Sequence, residues 1–488
     1  MSPPPGSGSF TTARRGFAVA LGLTFLTAFV SLGVQVRGLM GERGIVPAAR
    51  LLNSAHTALG DAAYFQVPTL AWLGGGDGML VAFCVAGAVL SLVLAAGFCP
   101  GACALGCWAL YLSLCSVGSP FLNFQWDALL LEAALLAALM LPWRWRPAWS
   151  RETPPQRVGR WLVWWLVFRL MFESGVVKLA WHDATWLEMR ALDFHFETQP
   201  LPLWTAWYVQ QLPRWMLRAT TFVMFVIEMI VPFLIVAPRR WRHGAALALI
   251  AFQVAILVTG NYAFFNLLTI ALCLPLFDDA WWRVRIPAAE KPPPHPAAWP
   301  IAGALGLFGI AATLPSLIGA FNIRAPDPLG ALLGPTRSFN GYGLFRVMTT
   351  ERPEIVVEGS RDGVVWRAYD FRWKPGNVRE RPRLVAPHQP RLDWQMWFAA
   401  LGEVRQNPWF VNFLVRLLEG SPEVLDLLAS NPFPDQPPRY VRAVGYDYHF
   451  TRGADDTTAW WKREKKGLYC PAISLRPNDE GADAKNPR

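Results

Sequence analysis

The sequence predicts a multi-pass α-helical membrane protein with about nine spans, followed by a C-terminal β-rich α+β soluble domain. Hydrophobic residues occupy 53% of the 488 positions and charged residues only 16%, whereas average soluble domains are about a quarter charged. More than half of the charged residues follow residue 335. The earlier part repeats apolar runs close to the ~20 residues that a bilayer-spanning helix needs. The two parts of the chain are therefore expected to face different solvents.

The predicted transmembrane domain covers residues 17–321, after a cytoplasmic tail at 1–16. Each span is an apolar run with few charges, which can enter a bilayer only as a helix because the backbone must satisfy its own hydrogen bonds there. The runs cover residues 17–34, 79–98, 102–117, 124–141, 161–180, 219–237, 244–259, 262–276 and 301–320.

Arginines in the short loops predict the orientation, because cytoplasmic loops are enriched in Lys and Arg. Arg14 and Arg15 precede the first span, and loop 142–160 carries five further arginines. Loop 182–215 is acidic to neutral and falls outside. Nine spans then place residues 322–475 on the outer or lumenal side. The net charge of +10 comes largely from inner loops, and the intermixed charges of the C-terminal part argue against a nucleic-acid partner.

Ionisable residues inside the predicted spans are costly in lipid and mark an intramembrane polar network. The network is predicted to contain Asp127, Glu132, Arg169, Glu173, Lys178 and Glu228. Arg169 and Glu173 are four residues apart and can pair on one helix face. Lys178 faces elsewhere and needs Asp127, Glu132 or Glu228 as its partner. The network either fixes the helix bundle, with Lys178 reaching the outer surface, or supplies Lys178 as a base.

The loop after Lys178 contains four candidate metal ligands, His182, Asp183, His195 and Glu197. The two histidines do not show the spacing of a known zinc signature. Aromatic residues in the same loop are typical of a segment that lies in the membrane interface. We therefore predict no metal site and no cofactor.

The C-terminal part, residues 322–475, is predicted to hold a hairpin, three helices and a final strand pair. The hairpin turns at residues 360–363, the helices cover 393–401, 408–418 and 422–428, and the strands lie at 440–450 and 467–469. Residues 476–488 form a predicted disordered tail. No motif for nucleotide binding, nucleophilic catalysis or zinc hydrolysis stands in a meaningful context, so the sequence predicts a binding role rather than an enzyme.

Six long segments resemble the lipase maturation factor family. LNFQWDALLLEAALLAALMLPWR at 122–144 and ESGVVKLAWHDATWLEMRALDFHFETQPLP at 173–202 lie in the apolar part. FNGYGLFRVMTTERPEIVVEGSRDG at 339–363 lies in the C-terminal part. The remaining segments are 261–279, 387–402 and 407–428. The resemblance covers nearly the whole chain.

This resemblance implies a membrane-embedded, non-enzymatic chaperone that assists the folding and assembly of secreted lipases. The expected partners are client lipases or other exported proteins, and the lipid bilayer. The C-terminal domain is expected to engage the client. The home membrane is the endoplasmic reticulum in a eukaryote, or the inner (plasma) membrane in a bacterium, which the arginine-rich composition favours.

A shorter segment supports an alternative function. SGVVKL, followed by Trp186, is similar to the segment of vitamin K-dependent γ-glutamyl carboxylase that contains the catalytic lysine. The similarity implies a membrane enzyme that uses Lys178 as a base. This chain has Val177 where the carboxylase has a second lysine.

Overall fold

The computed structural model describes residues 8–146, 154–282, 298–453, 455 and 458–475. The predicted disordered tail lies outside the described residues. The helices of the apolar region are α1 (Thr11–Gly33), α2 (Val36–Met40), α3 (Ala48–Leu59), α4 (Ala62–Gln66), α5 (Asp77–Ala96), α6 (Pro100–Val117), α7 (Gln125–Met140), α8 (Arg157–Ala180), α9 (Ala184–Leu187), α10 (Leu192–Thr198), α11 (Trp204–Gln210), α12 (Arg214–Met229), α13 (Arg239–Leu257), α14 (Phe265–Cys273) and α15 (Ala298–Ala320). Later helices are α16 (Gly330–Leu333), α17 (Arg391–Ala400), α18 (Pro408–Leu418) and α19 (Pro422–Leu425).

Each predicted apolar run overlaps one of these helices. Five of the described helices are long and apolar enough to cross a membrane, namely Thr11–Gly33, Asp77–Ala96, Pro100–Val117, Arg214–Val236 and Pro300–Ala320. The region is thus a multi-helix transmembrane region with five long apolar helices. For α7, α8, α13 and α14, which are shorter or carry charged residues, membrane crossing stays a prediction.

The first helix begins earlier than the sequence predicts. It starts at Thr11 rather than at residue 17, because the Asp279 carboxylate accepts hydrogen bonds from the backbone N–H of Thr11 (2.9 Å) and Thr12 (2.8 Å). The first four N–H groups of a helix lack internal partners, and a carboxylate there also interacts favourably with the helix dipole. The predicted tail at 1–16 therefore includes the first turns of α1.

Arginines from several helices meet at one end of the bundle, which we call the arginine end. Arg15 of α1 donates to the last residue of α5, Ala96 (2.9 Å). Arg160, at the start of α8, lies 3.9 Å from the centre of the Phe10 ring. Arg242, at the start of α13, donates to the Leu276 carbonyl (2.9 Å). The N-termini of α1, α8 and α13 thus share one end.

The C-terminal part contains two antiparallel sheets. The larger has the order β2 (Arg367–Ala368), β1 (Pro353–Ser360), β5 (Tyr440–Phe450), β6 (Trp461–Ile473), and the smaller pairs β3 (Asp370–Phe371) with β4 (Leu428–Ser430). Glu358 of β1 pairs with Ala368 of β2, and Val444 of β5 pairs with Leu468 of β6. The structure contains the predicted hairpin, three helices and final strand pair, but β6 begins six residues earlier than predicted. The third helix ends at Leu425 rather than at 428, because Leu428 begins β4.

The two parts of the chain share a continuous core of buried apolar side chains, which the sequence did not predict. Trp394 of α17 packs edge-to-face on Trp126 of α7, with ring centres 4.7 Å apart. Trp126 in turn stacks on Phe124 at 4.6 Å. The C-terminal part therefore packs directly against the membrane region. Helix α17 lies against the end of the bundle opposite the arginine end, where Ser31 of α1 accepts from the Gln389 backbone N–H (2.9 Å).

Candidate functional site

The described residues contain three notable buried ionic groups, of which two join the bundle to the C-terminal part and the third joins two helices of the bundle. In the first group, Arg169 of α8 forms an ion pair with Glu132 of α7. Glu173, one turn after Arg169, is less close, with 4.0 Å between Oε1 and the Arg169 Nη1. All three residues are at most 3% exposed. Because an isolated buried charge costs several kcal/mol, each depends on its partners.

Residues from beyond the last long helix complete this first group. Tyr342 donates its hydroxyl to Glu132 Oε2 (2.7 Å) and its backbone N–H to Glu173 Oε2 (2.7 Å). Arg169 Nη1 donates to the Asn340 carbonyl (2.7 Å). The segment thus inserts between helices and satisfies charges that the helices leave open.

Glycine makes this insertion possible. A Cβ on Gly343 would lie 2.8 Å from Cγ2 of Val177 on α8, closer than side chains normally pack. The sequence shows a Gly-rich aromatic turn at 339–345, but composition alone does not reveal that it enters the bundle.

In the second group, Asp127 of α7 pairs with Arg391 at the start of α17. The pair is bidentate, with Nη1–Oδ2 at 2.6 Å and Nη2–Oδ1 at 2.8 Å, the strongest geometry for this pair of groups. Tyr111 also donates to Asp127 Oδ1 (2.5 Å), and Arg391 Nη1 donates to the Phe121 carbonyl (3.0 Å). Sequence reasoning missed Arg391, because a charged residue in a water-compatible segment gives no sign that it will be buried.

In the third group, Lys178 of α8 pairs with Glu228 of α12. The ammonium lies 2.8 and 3.0 Å from the two carboxylate oxygens and 2.8 Å from the Ser174 carbonyl. It also lies 5.4 Å from the centre of the Trp186 ring. Lys178 is 4% exposed, so the expectation that it reaches the outer surface is wrong. An ammonium has three hydrogens, and each has an acceptor here.

The candidate residues of the outer loop have separate partners. Asp183 accepts from Thr185 N–H (2.8 Å) at the start of α9 and from Met348 N–H (3.0 Å). Partial burial on its own would raise the pKa of Asp183. The hydrogen bonds to its carboxylate outweigh burial and lower this pKa below its usual value. His182 is exposed. Asp183 therefore anchors the segment that follows the Tyr342 turn.

His195 and Glu197 contact other elements. The His195 ring lies 3.2 Å from the Tyr262 hydroxyl, and burial, with Lys178 nearby, lowers the pKa of His195 to about 4. Glu197 accepts from the Phe450 N–H (2.8 Å) and lies 2.9 Å from His449 Nδ1. In the part of the chain that the structure describes, no three His, Cys, Asp or Glu residues are grouped so as to hold a metal ion.

A further buried cation, Arg352, joins the outer loop to the sheet and was also missed. Its guanidinium donates to the carbonyls of Glu197 (2.7 Å) and Pro200 (2.9 Å). It also pairs with Glu354 on β1 at 2.8 Å, and Lys374 approaches the same carboxylate at 2.8 Å. The sheet is thus held on the outer loop by charge-assisted hydrogen bonds.

Comparisons with known proteins find matches to both parts of the chain. The lipase maturation factor transmembrane domain matches residues 12–284, and the lipase maturation factor C-terminal domain matches residues 338–471. This chain belongs to the lipase maturation factor family. The turn that contains Tyr342 and the helix that contains Arg391 both lie in the family's C-terminal domain, whereas their acidic partners lie in its transmembrane domain.

Full-length relatives support the assignment to the lipase maturation factors. The chain is 36% identical to lipase maturation factor 2 of Gallus gallus, over 95% of this chain and 81% of that protein. It is 35% identical to lipase maturation factor 2 of Homo sapiens, over 95% and 82%. It is 32% identical to lipase maturation factor 1 of Mus musculus, over 96% and 88%. No solved structure matches.

Proposed function

We propose that this multi-pass membrane protein is a maturation factor that assists secreted lipases to fold and assemble, and that it does so by binding rather than by catalysis. The observation that carries the proposal is that the C-terminal domain packs directly on the transmembrane region. The buried Asp127–Arg391 ion pair joins α17 of this domain to α7. Family membership supports lipases as the clients.

The position of the arginines supports an exported C-terminal domain. The arginine end and the C-terminal domain lie at opposite ends of the bundle. Because Lys and Arg are enriched on the cytoplasmic side, the sheet then faces the lumen of the endoplasmic reticulum or the outer side of a bacterial inner membrane. An odd number of crossings, as in nine spans, gives this arrangement.

The tip of the β1–β2 connection is the proposed client contact. Val364 is 80% exposed and Val365 is 59% exposed. The Asp362 carboxylate accepts from both of their backbone N–H groups (2.8 Å each) and from the Ser360 hydroxyl (2.9 Å). The turn is therefore held by hydrogen bonds while it presents two adjacent apolar side chains, which suit contact with an apolar surface on a client.

The surroundings of Lys178 favour binding over the alternative of a lysine base. A lysine base must shed its proton, but the Lys178 ammonium is paired with Glu228 and donates to three acceptors. Loss of the proton would leave the Glu228 carboxylate buried without a counter-charge, which is costly.

Co-expression with a secreted lipase tests the proposal. Lipoprotein lipase is expressed in cells whose own maturation factors have been deleted, and the specific activity of the secreted enzyme is measured. The wild-type chain is expected to restore activity. Val364→Asp/Val365→Asp is expected to lower it severalfold at unchanged chain level, and Leu468→Asp, at an exposed position on β6, serves as the matched control. Equal rescue by the tip variant and the control would contradict a client contact at the tip.

A second variant separates binding from catalysis. Lys178→Met/Glu228→Gln removes both charges together, so that neither is left buried alone. We expect lipase rescue to stay within about twofold of wild type. Loss of rescue by a well-folded, normally abundant variant would instead favour the lysine-base function.

A further inference from the structure

A large cavity opens between α7, α8 and α15, and its inner end reaches Glu132 and Arg169 of the first ionic group. Its volume is about 1530 Å³, above the ~300–1,000 Å³ of usual small-molecule pockets. Leu136 of α7, Leu162 of α8 and Phe308 of α15 are among the side chains that line it. The walls are predominantly apolar, so an aqueous solute is a poor occupant.

The outer wall of the cavity is a peripheral helix. Helix α15 is attached to α8 by a hydrogen bond from the Trp165 indole to the Thr313 hydroxyl (3.0 Å), and most of its surface is exposed. In a transmembrane region that surface faces lipid, so the cavity lies beside the bilayer.

The mouth of the cavity lies at the arginine end and carries positive charge. Arg157 and Arg160 line it, and both lie in the first turn of α8, where cations oppose the helix dipole. No side chain caps this helix end. Within the described ranges neither arginine has an acidic partner, and the buried Nε of Arg160 has no hydrogen-bond acceptor. The helix N–H groups, the helix dipole and the two guanidinium groups together favour an anion at the mouth.

The depth of the cavity matches one leaflet of a bilayer. Its lining runs along α8 from Arg157 to Arg169, twelve residues later, which is about 18 Å at the helical rise of ~1.5 Å per residue. Half of the ~30 Å hydrocarbon core is about 15 Å. An anionic head held at the mouth would thus place apolar chains along the walls.

We propose that this cavity binds a phospholipid of the arginine-end leaflet, with its phosphate on Arg157 and Arg160 and its acyl chains between α7, α8 and α15. The bound lipid fills the space that separates α15 from the rest of the bundle. Since the segment after α15 leads to the Tyr342 turn, the lipid supports the helix from which the C-terminal domain follows.

Native mass spectrometry of the full-length protein tests the proposal. The protein is reconstituted in nanodiscs of phosphatidylglycerol and phosphatidylcholine and released into mild detergent, and retained phospholipid is counted. Wild type is expected to retain one molecule. Arg157→Gln/Arg160→Gln is expected to retain at least tenfold less. Arg240→Gln, an exposed arginine near the same end that does not line the cavity, is the matched control.

A variant that fills the cavity provides an independent test of the proposal. A Cβ on Gly303 meets nothing within 4 Å, and Gly303 lines the cavity, so Gly303→Leu adds side-chain volume there. It is expected to lose the lipid while keeping the wild-type elution volume. Retention equal to wild type in both variants would overturn the proposal. Loss in the arginine variant alone would also overturn it, because it would indicate surface lipid or an occupant without acyl chains.

Discussion

At the scale of single residues, the charges buried in this protein are stabilised only as pairs. Asp127 and Arg391 come from the two parts of the chain and are both at most 1% exposed. Asp127→Asn removes the negative charge and leaves the Arg391 guanidinium buried without compensation, which costs about 3–5 kcal/mol. We therefore expect a large loss of thermal stability in detergent, measured by the temperature of unfolding.

Two further variants test the cause of this loss. Asp127→Asn/Arg391→Met removes both charges and is expected to recover part of the stability, because well-packed apolar residues can replace a buried pair. Arg405→Ala breaks an exposed pair with Glu403 (2.7 Å) and is expected to change stability by less than about 1 kcal/mol. Equal losses in Asp127→Asn and Arg405→Ala would refute the pairing argument.

The second prediction for a single residue concerns how the stability of the protein depends on pH through His388. His388 lies outside the spans, and its Nδ1 is 2.9 Å from the Ser31 hydroxyl. Burial, aided by Arg391 and Arg372, lowers the pKa of His388 to about 4, whereas an unfolded histidine titrates near 6.5. The stabilisation from neutral His388 is fully present above about pH 6.5 and is lost as the pH falls towards 4.

Substitution of this histidine should therefore reduce the loss of thermal stability that acid causes. We expect His388→Gln, which can keep a hydrogen bond to Ser31, to lose less thermal stability than wild type between pH 7 and pH 4.5. Buried His195 contributes in the same direction, so some acid sensitivity stays in the variant. His182→Gln, at an exposed position, is the control, and an acid response of His388→Gln as steep as that control would count against the assignment.

At the scale of elements, α1 and α5 cross so closely that one position of the contact admits only glycine. A Cβ on Gly22 would lie 2.7 Å from the Ser91 carbonyl and 2.9 Å from the Ala95 N, both backbone atoms of α5. We expect Gly22→Ala to separate the helices and to cost about 1–3 kcal/mol. Gly16→Ala, on the same helix, would meet Leu274 Cδ1 at an ordinary 3.7 Å and should be neutral or slightly stabilising. Thermal unfolding in detergent compares the two.

The same scale shows what a sequence reveals about helices and strands. Apolar runs and strand-forming runs are local patterns, and they predicted the positions of β1, β5 and α18 and of nine helices of the apolar region, namely α1, α5, α6, α7, α8, α12, α13, α14 and α15. The ends were less accurate, because the cap that starts α1 is Asp279, more than 260 residues away. Local patterns also predicted Glu228 as one of three possible partners of Lys178, because all three carboxylates lie in apolar runs.

At the scale of the whole molecule, the sequence separated two parts that the structure joins. Tyr342 and Arg391 looked like ordinary residues of a water-compatible domain, yet both contact carboxylates of α7. The hydropathy of a segment indicates its average environment. It does not show that a single polar side chain of a hydrophilic segment is buried against the helix bundle. Contacts between residues 200 or more positions apart leave no periodic signal in one sequence, which is why the site was predicted only from its transmembrane half.

The joined architecture makes the topology testable by cysteine labelling. Cys99 is partly exposed, so the test uses a Cys99→Ser background. Val364→Cys lies on the C-terminal domain, and Trp145→Cys, at a position that is 78% exposed, lies at the arginine end. We expect an impermeant maleimide to label Val364→Cys from the exported side of sealed membranes, and Trp145→Cys only after permeabilisation. The opposite pattern would place the sheet in the cytoplasm, where it could not meet a secreted lipase. Because the two parts share one core, labelling of both positions from the same side would contradict the fold itself.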